Sequence, residues 1–236
     1  MHVAVLGLGP SVNQYLHLTK SWGGRKAFCD EVWGINALGG VFECDRIFHM
    51  DDVRIQEIRA KARPKSNIAR MLEWLKTTKV PVVTSIPHPD YPTTEAFPLD
   101  AVLQKYEYAY FNSTAAYAIA YAMHIGVKQI TCFGMDYTYA DAHQAEKGRA
   151  CVEFWLGQAV AQGIHIAVPK TTSLMDACEA QEKRFYGYDC VQLELDRDPK
   201  TNEVSINMVP RDKLPTADEI EAEYDHSVHP NPLVEG

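Results

Sequence analysis

Residues 128–143 read KQITCFGMDYTYADAH, and their reading decides the fold. Gln129 to Phe133 is a short β-branched and aromatic run that predicts a buried strand. Gly134 ends it, and Asp136, Tyr137, Tyr139, Asp141 and His143 crowd in directly behind. In an open α/β sheet ligands bind just beyond the carboxyl ends of the strands, so this cluster of functional groups marks a site.

The same grammar extends outward from that stretch. His2 to Leu6 predicts a buried parallel strand feeding the tight turn Gly7-Leu8-Gly9-Pro10-Ser11, with a helix from about Ser11 to Ser21. A second strand, Glu31 to Ile35, ends at Asn36, and a third, Arg46 to Met50, ends at Asp51-Asp52. Each strand delivers glycine or a polar residue to one edge. Helices are expected over Val53 to Ala62 and Asn67 to Thr77, the second with Ile68, Met71, Leu72 and Leu75 on one stripe. Val80 to Thr84 is another strand, followed by a proline-rich loop from Ile86 to Pro92, long enough to serve as a lid or acceptor loop. Asn112-Ser113-Thr114 caps an Ala-rich helix that runs through His124 and stops at Gly126. Beyond the opening stretch come a helix from about Gln144 to Gln162, ended by Gly163, and a last parallel strand, Ile164 to Val168.

Strands alternating with helices predict a Rossmann-like, doubly wound, mostly parallel α/β sheet over residues 1–180. From Tyr188 the pattern changes. Cys190 to Leu195 and Glu203 to Met208 flank a polar turn as an antiparallel hairpin, and Thr216 with Glu219 caps a short helix over Thr216 to Tyr224. Residues 181–236 thus form a hairpin and acidic tail, an appendage suited to an oligomer contact.

The 31 acidic against 23 basic residues leave a formal charge of -8 with no long basic block, which disfavours nucleic acid as a partner. Six cysteines without CxxC spacing read as reduced thiols of a cytoplasmic protein. The start MHVAVLGLGPS lacks a charged signal region, and no apolar run reaches the roughly 20 residues needed to cross a membrane.

The motifs narrow the chemistry. At the turn Gly7 to Ser11, with Gly9 and Pro10 inside it, free N–H groups meet a helix dipole, so phosphate is the expected guest. Val12 replaces the third glycine of the dinucleotide fingerprint, and no GK[ST] follows. Asn36 offers an amide to base, ribose or phosphate, or caps the local turn. Asp51 and Asp52 are candidates for magnesium or a substrate hydroxyl. Asn112, Ser113 and Thr114 fit phosphate or sugar, or a simple cap. His143 begins a helix, where the dipole favours a neutral imidazole able to act as general base. Tyr137 and Tyr139 can donate to a departing phosphate or fill space beneath the loop, and Asp136 can form the turn after Gly134. His49, His88, His124 and His165 lack ligand spacing and receive no role.

GLGPS after the first strand, WGIN at the second, STAAYAIAYAMHIGVKQITCFGMDY and the DAH before a helix resemble the bacterial sialyltransferases of glycosyltransferase family 42. The likeness spans about residues 1–178. The same layout is similar to domains of unknown function that include archaeal 6-hydroxymethylpterin diphosphokinases. The first resemblance implies a Rossmann-like fold, no metal, and contacts to the CMP part of a donor at Gly9, Ser11, Asn36, Ser113 and Thr114. It also implies a catalytic histidine at His143 and phosphate-assisting tyrosines at Tyr137 and Tyr139. Asp51 departs from that family's usual asparagine, and the short spacing from Tyr139 to His143 leaves no room for its lid insertion.

The expected function is therefore a nucleotide-sugar-dependent transferase acting on a hydroxyl acceptor, with a CMP- or UDP-linked donor as substrate and no tightly bound cofactor. The second resemblance implies instead an ATP- and magnesium-dependent diphosphotransferase in which Asp51, Asp52 and Asp136 matter most. A non-catalytic nucleotide-binding or sequestering protein, of the kind a phage would encode, is the third reading.

Overall fold

The computed structural model describes residues 1–138, 141–176, 191–198, 200–201, 204–210 and 216–222. The chain divides into two units, Met1–Ala177 and Cys178–Gly236. In the first unit the elements run β1 (His2–Leu6), α1 (Val12–Ser21), α2 (Arg25–Phe28), β2 (Glu31–Ile35), β3 (Arg46–Phe48), α3 (Val53–Ala62), α4 (Asn67–Thr77), β4 (Val82–Thr84), β5 (Thr94–Ala96), α5 (Leu99–Tyr106), α6 (Thr114–His124), β6 (Gln129–Phe133), α7 (Ala142–Ala161) and β7 (His165–Ala167). Short 3-10 turns occupy Asn36–Gly40 and Leu174–Asp176.

Seven strands form one Rossmann-like sheet in the order β5-β4-β3-β2-β1-β6-β7, and every neighbouring pair is parallel. From β1 the chain first builds outward through β2 to β5, then returns to place β6 on the other side of β1. That reversal opens a crevice at the carboxyl ends of β1 and β6, the place where doubly wound sheets bind ligands.

Burial explains why β1 is apolar from Val3 to Leu6. Val3 and Val5 join a core with α5, α6 and α7, while Ala4 and Leu6 join a second core with α1, α3 and α4. On α6 the buried residues include Ala115, Ala116, Ala118, Ala120 and Ala122, whose small side chains let the helix lie close to the sheet.

Several elements differ from the sequence reading, which has no counterpart of the short α2. Beyond the proline-rich loop lie an edge strand and a helix, β5 and α5, that the sequence reading does not contain. β5 has three residues, two of them exposed, so no apolar run announces it. The loop itself is pinned at Tyr91, which is fully buried and donates its hydroxyl to Glu57 Oε1 at 2.9 Å. Burial, reinforced by Glu57, pushes that phenol above its usual range. The described thiols, Cys29, Cys44, Cys132 and Cys151, are free and buried; burial pushes Cys132 up to about 12. Cys178 and Cys190 lie outside the described residues. No helix among the described residues is long and apolar enough to cross a membrane.

In the second unit β8 (Val191–Arg197) pairs antiparallel with β9 (Val204–Pro210). The strands run further than predicted because Asp196 and Arg197 stay in register with Ser205 and Val204. Asp198 then closes the turn by accepting the Lys200 and Thr201 N–H groups at 2.7 and 3.2 Å. α8 (Ala217–Ala222) carries the predicted capping box: Glu219 Oε2 accepts the Thr216 N–H at 2.8 Å, and Thr216 Oγ1 accepts the Glu219 N–H at 3.3 Å.

The two strand ends at the crevice approach each other closely. A Cβ on Gly7 would stand 2.3 Å from the Gly134 carbonyl oxygen. Gly7→Ala is expected to destabilise the protein by roughly 3 kcal/mol or more. Gly157 in α7, by contrast, has open space where a Cβ would stand, and Gly157→Ala is expected to stabilise by about 1 kcal/mol through helix propensity alone. Urea unfolding midpoints test both; an unshifted midpoint in Gly7→Ala would contradict the packing described.

Candidate functional site

Two strand-end turns interlock at the crevice. Gly7 N–H donates to Phe133 O at 2.7 Å and Gly9 N–H to Gly134 O at 2.8 Å. In return, Gly134 N–H donates to the Ser11 hydroxyl oxygen at 2.7 Å. Gly134 has φ +69°, and a Cβ there would lie 2.1 Å from Gly7 O, so both conformation and space demand glycine.

Asp136 completes the lock. It is 2 % exposed, and its Oδ2 accepts the Ser11 N–H at 2.8 Å. Its other oxygen, Oδ1, is buried without a hydrogen-bond partner among the described residues. A Cβ on Gly9 would fall 2.4 Å from Asp136 Oδ2, so Gly9 is what admits the carboxylate. This changes the expectation for the glycine turn. The positive end of α1 already faces a carboxylate, so the seat predicted for phosphate is taken by the protein's own anion. Ser11 is 3 % exposed and both its N–H and its hydroxyl oxygen are engaged inside this lock, which makes it a brace for the loop. From behind, Ser173 Oγ donates to Asp136 O at 2.7 Å and Thr172 Oγ1 to Met135 O at 3.2 Å.

Tyr137 follows with φ +49°, a conformation that costs a bulky residue free energy and that recurs at binding sites. Its hydroxyl lies 3.1 Å from Ser113 Oγ. Its ring rests on Gly148 of α7, where a Cβ would stand 2.6 Å from the ring. Ser113 is also the N-cap of α6, accepting the Ala115 N–H at 3.3 Å. Asn36, at the end of β2, is likewise left-handed at φ +53°, and its Oδ1 lies 3.2 Å from His49 Nδ1.

These groups line two adjoining cavities. The narrower, about 300 Å³, holds the glycine turn, Asn36, Ser113, Asp136, Tyr137 and Thr138. The wider, about 650 Å³, holds Asn36, Asp51, Asn112, Ser113, Thr114, Tyr137, Gln144, Lys147 and Gly148. Asn36, Ser113 and Tyr137 belong to both and form the wall between them. The charges differ: Asp136 is the charged group of the narrow cavity, whereas the wide one has Asp51 and Lys147. Lys147 makes no ion pair among the described residues. A separate cavity of about 720 Å³ between α3 and α4 is lined by Glu57, Lys61, Arg70 and Lys76 among others, and none of the sequence candidates reaches it.

The structure thus brings together Gly7, Gly9, Pro10, Asn36, Asp51, Asn112, Ser113, Thr114, Asp136 and Tyr137. Asp52 stands apart: it caps α3, and its carboxylate holds the Arg54 backbone N–H and guanidinium, the pairing that pulls it down to about 2. His143 is exposed in the first turn of α7, its backbone N–H bonded to the Asp141 cap at 3.1 Å, and it lines neither cavity. Tyr139 lies outside the described residues. The sequence reading did not single out Gln144, Lys147 and Gly148, which the spacing i, i+3, i+4 places on one face of α7. It also passed over His49, because a test for metal spacing cannot detect a histidine that serves an amide.

No protein-family model matches the chain, and no curated protein matches it. Among solved structures the chain is similar to the sialyltransferase CstII from Campylobacter jejuni in complex with a substrate analogue, CMP-3FNeuAc. The identity is 14%, with 94% of this chain and 98% of that one covered and a TM-score of 0.45. It is likewise similar to the sialyltransferase CST-II in complex with trisaccharide acceptor and CMP, at 13% identity, 94% and 98% coverage and a TM-score of 0.47.

The role given to Asp136 predicts a split between two substitutions. Asp136→Ala leaves the buried Ser11 N–H unpaired and is expected to cost about 1–3 kcal/mol. Asp136→Asn keeps an acceptor while removing the charge, so it is expected to stay within about 1 kcal/mol of wild type and to gain affinity for inorganic phosphate. Melting temperatures with and without phosphate report both effects. Equal phosphate binding by wild type and Asp136→Asn would contradict the assignment of the anion seat.

Proposed function

We propose that this chain is a nucleotide-sugar-dependent transferase of inverting type that acts on a hydroxyl acceptor. The observation that carries the reading is the pair of adjoining cavities with different charge at the switch point of the sheet. A nucleotide-sugar is divided in the same way, with a neutral, hydroxyl-rich nucleoside at one end and a phosphate link to the sugar beyond. Asp136 suits the narrow cavity to the nucleoside. Lys147, with Ser113 and Thr114 at the positive end of α6, suits the wider one to the phosphate and sugar. Asp51, in the same wall, can accept hydrogen bonds from sugar hydroxyls.

His143 is the proposed general base. It precedes Lys147 by four residues on α7, about 6 Å along the axis and on one flank of the helix, and in this reading the acceptor is bound within its reach. There it takes the proton of the acceptor hydroxyl as that oxygen attacks the anomeric carbon from the face opposite the phosphate. The bond from that carbon to the phosphate oxygen breaks, and its electron pair leaves with the phosphate. Lys147 and the Tyr137 hydroxyl supply the charge and hydrogen bond that favour this departure.

The magnesium-dependent diphosphotransferase reading fits the residues less well. Asp52 is bound to Arg54, which leaves Asp51 as the single carboxylate among the residues lining the wider cavity. A magnesium ion between phosphates draws on one or two carboxylates, and among the described residues that line this cavity Asp51 alone is available.

Melting shifts with CMP, UDP, GDP, ATP and their sugars, each with and without magnesium, test the donor class. A pyrimidine nucleotide-sugar is expected to stabilise without magnesium, by about 2.7 kcal/mol at a hundredfold excess over Kd. Stabilisation by ATP and magnesium alone would favour the diphosphotransferase. With the donor identified, His143→Ala is expected to lower kcat by about 10²- to 10⁴-fold while donor affinity holds; wild-type turnover in that variant would remove His143 from the mechanism.

A further inference from the structure

Behind the wall that divides the two cavities lies a buried histidine. His49 follows the last residue of β3, donates its backbone N–H to Val83 O at 2.8 Å, and is 1 % exposed. Its Nδ1 lies 3.2 Å from Asn36 Oδ1, and its Nε2 is buried with no partner among the described residues. Asn36 itself lines both cavities.

A neutral imidazole has one N–H, which leaves two arrangements. In the first, Nδ1–H donates to Asn36 Oδ1, and Nε2 keeps a bare lone pair. In the second, the Asn36 amide is turned over and donates to Nδ1, which strands an N–H on Nε2 in the interior. Buried N–H groups without an acceptor are rarer in folded proteins than under-used acceptors, so the first arrangement is favoured. It holds the Asn36 side-chain oxygen toward His49 through one of its two lone pairs and turns the two amide N–H donors to the cavities.

We infer that His49 is a positioning residue that fixes the Asn36 amide as a donor, so that the ligand group recognised at Asn36 is a hydrogen-bond acceptor: a carbonyl, a ring nitrogen or a phosphate oxygen. The ligand part of this inference rests on the nucleotide reading of the site; the His49 part does not. Burial also pushes His49 below its ordinary range, against the opposing pull of the Asp51 carboxylate, which keeps the ring neutral at pH 7. Asn36 also has a left-handed backbone, a conformation that asparagine tolerates better than most residues.

Nitrogen-15 NMR of the histidine rings in the full chain at pH 7 tests the first half without any ligand. The His49 signal, assigned by its loss in His49→Gln, is expected to show the Nδ1–H tautomer, with a proton shift that moves in Asn36→Ala. An Nε2–H tautomer or a charged ring would overturn the inference. A double-mutant cycle on CMP binding tests the second half. His49→Leu and Asn36→Ala are each expected to weaken binding about tenfold, and the double variant no further, because one acts through the other. His49→Gln, whose amide can still donate, is expected to stay within about threefold of wild type, which separates positioning from loss of fold. Multiplying losses in the double variant would contradict positioning through Asn36. Absence of CMP binding by the wild type would count against the nucleotide reading, while the tautomer would still decide the case of His49.

Discussion

The backbones of Gly7 and Gly134 meet where β1 and β6 end, and no side chain fits between them. Everything at the carboxyl edge takes its position from that contact. It lets the Gly7 turn donate to the Phe133 and Gly134 carbonyls, it brings the Ser11 hydroxyl onto Gly134 N–H, and it sets Asp136 against the first turn of α1. Gly9 belongs to the same constraint, because a methyl group there would collide with the Asp136 carboxylate. The three glycines are thus spatial requirements of one joint.

That joint also decides what the site can recognise. A glycine turn opening a helix is an anion trap when its N–H groups face open space. Here a buried carboxylate answers one of them, and the narrow cavity becomes unfavourable to phosphate. The positive groups that remain, Lys147 and the N-terminus of α6, lie in the adjoining cavity. In the proposed function, ligand orientation follows from where the protein has placed its own charge.

Much of this was legible before the structure. Continuous apolar runs ended by glycine or a polar residue located β1, β2 and β6 to the residue, and the apolar stripe of Ile68, Met71, Leu72 and Leu75 located α4. β5 escaped because three half-exposed edge residues carry no hydrophobic signal. The site was legible in its members and less so in their duties. Asp136 looked like a turn former because its partner, Ser11, is 125 positions away in sequence. Asp52 looked available until Arg54, two residues on, was seen to hold it. Lys147 was one charge among many until the register of α7 showed which face meets the cavity.

The central claim is that a nucleotide occupies the two cavities joined at Asn36, Ser113 and Tyr137. Hydrogen–deuterium exchange with and without saturating CMP tests it most directly, because it reports location as well as binding. Slowed exchange is predicted at the glycine turn, at Asn36 and in the first turn of α6. Protection at the separate groove between α3 and α4, with the strand edge unchanged, would contradict the account.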